Sequence, residues 1–255
     1  MRVKEVEELV FSVFPAHHAL EWDNCGLQVG DPEDKVERVL ISLDVSHDTL
    51  SEAKALGCNL IVSHHPLLFR ATKRIDASNP TGGLILKCAR LGVSVLSFHT
   101  NVDAAPGGLA DELCRILKVE NPRPLTPEGI GRIGDVPPTE PEELVGLVLE
   151  RLGLDGAQTV KGAEGPVERV AVCPGSGGDL MEVAISAGAQ FYITGDVKYH
   201  QAQEAAGRLW VLDAQHFHTE LPFCRLMKRV LEEAGIICFT SKAQTSPFTY
   251  TPRRR

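Results

Sequence analysis

The sequence predicts an α/β protein made of two interlinked domains that share one strand-loop-helix rhythm, and three observations predict it. Short apolar runs alternate with longer amphipathic stretches, which is the pattern of βα units. The polar residues able to carry chemistry stand where strands hand over to loops, the place where open α/β sheets bind ligands. A proline-rich stretch, Glu120 to Glu128, interrupts the series and reads as a linker. Residues 1–125 are therefore assigned to a first α/β domain, completed by the C-terminal helix and strand within 222–255. Residues 126–221 form the second.

The elements follow in order. Val39 to Leu43 reads as a strand, and Ser46 is placed to cap a helix running to Leu56. Asn59 to Ser63 is a second strand, ending in His64-His65-Pro66. A helix over Gly83 to Leu91 leads into the strand Val93 to Phe98, which delivers His99; Pro106-Gly107-Gly108 then opens a helix to Lys118. Beyond the linker, strands are expected at Ile130 to Val136, Val167 to Cys173, Phe191 to Thr194 and Trp210 to Asp213. Helices are expected at Pro141 to Leu152, after the glycine-rich turn as far as Gly188, and at Tyr199 to Ala206. A last helix over Pro222 to Ala234 and a strand over Ile236 to Thr240 precede a tail ending in Arg253-Arg254-Arg255, read as solvated.

Composition excludes several classes. A chain of 255 residues with 43% hydrophobic and 24% charged residues can bury a sizeable core. Its formal charge of −8 argues against a surface for nonspecific nucleic-acid binding. The charged start, Met1-Arg2-Val3-Lys4-Glu5, is unlike a signal-peptide core, and no apolar run approaches the roughly 20 residues that span a bilayer. Seven scattered cysteines with no C-x-x-C pair fit buried fillers in a reducing cytoplasm, the expected location.

Three motifs make a metal constellation. In Ser63-His64-His65-Pro66, neighbouring side chains on an extended strand diverge, so the two imidazoles are expected to serve different ions of a close pair. His99 leaves a strand and Asp103 follows four residues on; Asp103 suits a hard or borderline cation, and His99 is a ligand or a donor beside one. In His216-Phe217-His218-Thr219-Glu220 the i, i+4 spacing puts His216 and Glu220 on one side, with His218 elsewhere. Pro222 suggests that the helix starts only there, leaving that pair on a less regular lead-in. The candidate ligands are thus His64, His65, Asp103, His216 and Glu220, enough for two divalent ions if one carboxylate bridges. Nitrogen and oxygen donors without thiolate favour zinc, manganese or iron over magnesium.

Two further motifs are candidate substrate contacts. Gly175, Ser176 and Gly177 form a glycine-rich turn that could offer amides to an anion, although a tight structural turn is the competing reading. Asp196 and His200 follow a strand end, where Asp196 could instead cap the next helix. The loop Trp22-Asp23-Asn24-Cys25-Gly26-Leu27 suits the lining of a cleft or a subunit contact.

Taken together and in order, Glu21 to Leu27, Ser63 to Phe69, His99 to Gly108, Thr194 to His200 and His216 to Glu220 resemble the NIF-three-like family, often labelled GTP cyclohydrolase I type 2 homologues. The resemblance covers nearly the whole chain and is to the short form without an inserted middle domain. It implies a NIF-three-like fold, assembly as a homohexamer, and a dinuclear site whose ligand positions fall on His64, His65, Asp103, His216 and Glu220, with His99 beside it. Gln215 stands where glycine is usual, and Pro222 follows the glutamate closely. The function so implied is a dinuclear metal-dependent hydrolase that opens the ring of a purine nucleotide, with His99 or another nearby imidazole moving protons. A phosphoesterase or nucleotidase, or a non-catalytic metal-binding scaffold or regulatory protein, are the alternatives.

Overall fold

The computed structural model describes residues 1–243 and 245–249; Arg253-Arg254-Arg255 lies outside the described residues. Two sheets stand side by side and one helix runs between their cores. In the first half the elements are α1 (Val3–Val13), β1 (Gly26–Val29), β2 (Val39–Ser42), α2 (His47–Leu56), β3 (Leu60–Ser63), α3 (Pro80–Leu91), β4 (Ser94–Ser97), α4 (Thr100–Ala104) and α5 (Leu109–Leu117). The second half continues with β5 (Glu120–Pro124), β6 (Arg132–Thr139), α6 (Pro141–Leu152), β7 (Gln158–Val160), β8 (Val167–Ser176), α7 (Met181–Ser186), β9 (Phe191–Gly195), α8 (Tyr199–Ala205) and β10 (Trp210–Asp213). The chain closes with α9 (His216–Glu220), α10 (Pro222–Glu233) and β11 (Cys238–Thr240).

The first sheet has the order β1-β4-β3-β2-β11, with only β1 antiparallel to its neighbour. Every residue of β2, β3 and β4 is buried, as expected of a parallel sheet covered on both faces. Alternation decides which side each residue serves. Val39, Ile41, Leu60, Val62 and Leu96 pack against α1 and α10, while Leu40, Ile61 and Val95 pack against α2 and α3. Because β11 pairs with β2, the C-terminal segment returns to the first sheet.

The second sheet runs β5-β6-β8-β9-β10-β7, its centre parallel and its edges antiparallel. Helix α5 joins the two: Leu109 lies in the first core, and Leu113, Cys114 and Leu117 lie in the second. Arg132 of β6 pins the junction, its buried guanidinium 2.8 Å from both oxygens of Asp111 and 3.0 Å from the Ala105 carbonyl.

Three segments differ from the sequence reading. Glu120–Pro124 is not a linker but an exposed edge strand, so the second sheet begins before residue 126. An edge strand tolerates proline and buries no side chain, which removes the apolar signal. The segment before Pro222 is itself one helical turn, α9, and Pro222 starts α10, where its missing N–H costs nothing. The strand expected to stop at Cys173 continues through the glycine turn to Ser176. No helix among the described residues is long and apolar enough to cross a membrane.

Candidate metal centre

The carboxyl ends of both sheets meet over one cleft. β3 leads into His64 and His65, β4 into His99 and then Asp103 on α4, and β10 into His216 and Glu220 on α9. Glu220 is the hub. Its Oε1 lies 3.0 Å from His216 Nε2 and 3.6 Å from His64 Nε2, and its Oε2 lies 3.0 Å from His65 Nε2. Asp103 Oδ1 is 3.6 Å from His64 Nε2. His64 and His65 lie just past the strand end, with ring centroids 5.1 Å apart. Both turn Nε2 toward Glu220, so they converge on one carboxylate rather than diverging, each nearest a different oxygen.

The far nitrogen of each imidazole is also held. His64 Nδ1 is 3.0 Å from the Phe98 carbonyl oxygen, His65 Nδ1 is 2.8 Å from Asp44, His216 Nδ1 is 2.8 Å from Asp196, and His99 Nδ1 is 2.9 Å from Asp23. An acceptor at Nδ1 fixes the proton there and leaves the Nε2 lone pair facing inward, the usual support of a histidine metal ligand. The cost of this convergence is visible. His65 and His216 bring their Nε2 atoms to 3.3 Å. His64 Nε2, Asp103 Oδ1 and Glu220 Oε2 are buried with no partner in hydrogen-bond geometry. Buried orphan donors and acceptors are expensive, and a shared positive charge relieves them all.

The ionisation of these groups reports the same demand. Burial alone would lower the histidines, but Asp44 and Glu220 push His65 up to about 10, and Glu220 and Asp196 push His216 up to about 9. Burial pressing on His64 is outweighed by Asp103 and Glu220, which raise it. Glu220 is buried, yet the surrounding imidazoles hold it well below the carboxylate range. Burial keeps Asp103 above that range despite His64 and His99. The donors His64, His65 and His99, and likewise His65, His216 and Glu220, bring ligand atoms within 4.8 Å of one another, a candidate metal-binding group of nitrogen and oxygen donors.

The expected substrate contacts separate. Gly175, at φ +66°, serves the hub: a Cβ there would stand 2.3 Å from Glu220 Oε1. Gly177 spends its N–H on Thr194 Oγ1 and its carbonyl on the Tyr192 hydroxyl, so neither faces a ligand. Ser176 lines the cleft, together with Trp22, Phe69, His99, Asp103 and Pro174. Asp196 orients His216. His200 is exposed, near Gln203, and does not line the cleft. Two residues went unnoticed as contributors: Asp44 and Asp23. Asp23 accepts from the Thr100 N–H at 2.9 Å as well as holding His99, and these bonds draw its carboxyl far below the usual range against the opposing effect of burial. The polar loop around Trp22 was the available signal for Asp23; nothing in the sequence marked Asp44. The cysteines are free, and burial pushes Cys173 and Cys224 up to about 12, so neither offers a thiolate.

Fold and site together define a two-sheet α/β protein with a histidine–carboxylate candidate metal centre at the junction of its halves. The Duf34/NIF3 (NGG1p interacting factor 3) family matches residues 1–247, and the chain belongs to it. A Lactococcus lactis protein named GTP cyclohydrolase 1 type 2 homolog is 38% identical, over 92% of this chain and 93% of its own. A Streptomyces coelicolor protein of the same name is 33% identical, over 97% and 94%. Among solved structures, a Bacillus cereus protein related to NIF3 superposes with a TM-score of 0.90 at 23% identity, over 98% of this chain and 99% of that one. Reduced HcgD from Methanocaldococcus jannaschii gives 0.85 at 27%, over 95% and 98%.

Proposed function

We propose that the chain is a metal-dependent hydrolase with two divalent ions shared across Glu220, acting on the ring of a purine nucleotide. The observation that carries the metal reading is the position of Glu220, with Oε1 facing His64 and His216, Oε2 facing His65, and unpartnered buried atoms around it. The name borne by the curated relatives suggests the nucleotide. His64, Asp103 and Glu220 would hold one ion, and His65, His216 and Glu220 the other; zinc, manganese or iron suit these donors better than magnesium. Ions held there would supply Lewis acidity and activate water at neutral pH.

The chain's own residues do the rest. Asp44 and Asp196 fix the tautomers of His65 and His216, and the Phe98 carbonyl does so for His64. His99 is the proton carrier: Asp23 holds Nδ1 and leaves Nε2 for the cleft that His99 lines. The buried cleft floor excludes bulk water from these transfers.

The test is incubation of metal-loaded protein with GTP while formate and the pterin product are followed. Turnover that disappears in the His64→Ala/His65→Ala variant supports the reading. No product above that control overturns it, and release of phosphate in place of formate would assign the site to phosphoester hydrolysis. We also propose, from the family resemblance, a cytoplasmic homohexamer, for which light scattering of the metal-loaded protein is the check.

A further inference from the structure

Beside the metal cleft lies a second cavity of about 590 Å³, lined by Phe69, Arg70, Lys73, Arg74, Asn79 and Thr81 among others. Phe69 lines both spaces, so they adjoin at that ring. Three cations fall within five residues of a chain whose formal charge is −8. Among the described residues none of the three makes an ion pair, whereas the other arginines exposed on helices α5 and α10 share Glu112. The one acid in the cavity, Asp76, is turned into its own loop, accepting from the N–H groups of Ser78 and Asn79 at 2.9 and 3.2 Å. Three cations against this one acid leave the local field positive.

The rim between the two spaces is aromatic. Trp22 is 59% exposed and Phe69 53%, large rings left in solvent at the mouth of a polar site. They meet edge to face with centroids 5.7 Å apart, and each lies about one ring-width from His99, at 6.1 and 6.2 Å. Exposed aromatic faces beside unpaired cations suit a ligand with a flat heteroaromatic ring at one end and a polyanion at the other.

We propose that this cavity is the phosphate pocket of a nucleoside polyphosphate site: Arg70, Lys73 and Arg74 take the phosphate chain, and Trp22 with Phe69 supports the base next to the metal centre. This rests on the reading that the metal cleft takes a purine nucleotide, and it adds which residues choose a nucleotide over a nucleoside. The acidic remainder of the surface opposes a long polynucleotide.

The experiment compares equilibrium binding of GTP and guanosine to metal-loaded full chain. In the Arg70→Ala/Lys73→Ala/Arg74→Ala variant, GTP binding is expected to weaken on the order of tenfold to a hundredfold while guanosine binding stays within about twofold. Guanosine also serves as the control for folding. In Trp22→Ala/Phe69→Ala both ligands weaken together. A GTP-to-guanosine ratio unchanged in the triple variant overturns the pocket, as does absence of GTP binding to the wild type. A short single-stranded DNA that outcompetes GTP, and does so through the same three cations, also overturns it. Turnover is read separately: a ratio that collapses without formate release leaves the pocket standing and removes the hydrolase reading, and turnover with an unchanged ratio does the reverse.

Discussion

The two halves of the molecule reach the candidate metal centre by different means. The first half delivers two of its groups dry: His64 is fully buried with a main-chain carbonyl behind it, and His99 is backed by Asp23, whose side chain is wholly out of solvent, while His65 is 27% exposed and Asp44 behind it 39%. The second half delivers His216 one-third exposed, backed by Asp196, which is about half exposed. The second half also carries backbone strain. Asp196, which holds that imidazole, and Gln215, which precedes it in the chain, are two of the four non-glycine residues with positive φ among the described residues. A mostly buried wall thus faces a wetter, strained arm, and Glu220 from the arm reaches into the wall. The difference teaches that the candidate metal centre doubles as the joint between the halves.

Glu220 is where that comparison breaks most easily. Glu220→Gln keeps the shape but removes the charge that both halves face. Breaking a buried charge cluster costs about 3–5 kcal/mol, so metal affinity is expected to fall by two to three orders of magnitude or more, roughly. Metal content of the purified variant by elemental analysis checks it. Wild-type content would mean that the halves do not share a site.

The two supporting aspartates sharpen the contrast. Asp23→Asn is expected to lower turnover by about a hundredfold or more, since proton transfer contributes roughly that much, while metal content stays near wild type. Asp196→Asn is expected to do the opposite, weakening metal binding about tenfold or more through a misoriented His216. Parallel measurements of metal affinity and kcat on both variants separate them. If Asp23→Asn loses metal instead, His99 is a ligand and not the proton carrier.

What the sequence made legible follows the same division. The buried parallel strands announced themselves as unbroken apolar runs, and the motifs His64-His65-Pro66 and His216 to Glu220 sit at strand ends where chemistry is expected. The exposed edge strand Glu120–Pro124 had no such signal and read as a linker. Partnerships across distance were hidden: Asp23 lies 76 positions from His99, and Asp44 lies 21 from His65. Gly175 read as a turn glycine, yet its second task is leaving room for a carboxylate far along the chain. His200 had the right spacing after a strand, but α8 carries it to the surface, because position on a helix face is set by packing and not by the motif.

Protonation offers a gentler probe of the joint. In the metal-free chain His65 stands at about 10 and His216 at about 9, both above their ordinary value. Raised folded-state values mean that the protonated forms stabilise the fold. That contribution is fully present below about pH 6.5 and is lost as pH rises through about 9 and then about 10. The Tm of metal-free protein is expected to decline across that window, while the metal-loaded protein, whose imidazoles are already neutral, declines less. Metal uptake near pH 7 should also release protons, measurable by titration calorimetry in two buffers of different ionisation enthalpy. A flat metal-free profile would show that the carboxylates do not hold those protons.

The smallest expected effect isolates the strain in the arm. Gln215 adopts φ 63°, ψ 141° as it turns the chain from β10 into α9. That region is nearly reserved for glycine and costs another residue about 1–3 kcal/mol. Its N–H is already engaged with Asp213 Oδ1 at 3.0 Å, and its carbonyl accepts from Thr219, so the backbone is over-determined from both sides. Gln215→Gly keeps those bonds and removes the Cβ, offset in part by the added freedom of the unfolded chain. The variant is expected to be more stable than the wild type by about 1 kcal/mol, read by denaturant titration of the metal-free protein, with metal affinity little changed. Unchanged or lower stability would place the cost elsewhere in the arm, at Asp196. Higher stability with weaker metal binding would instead mean that the glutamine side chain, not the turn, steadies His216.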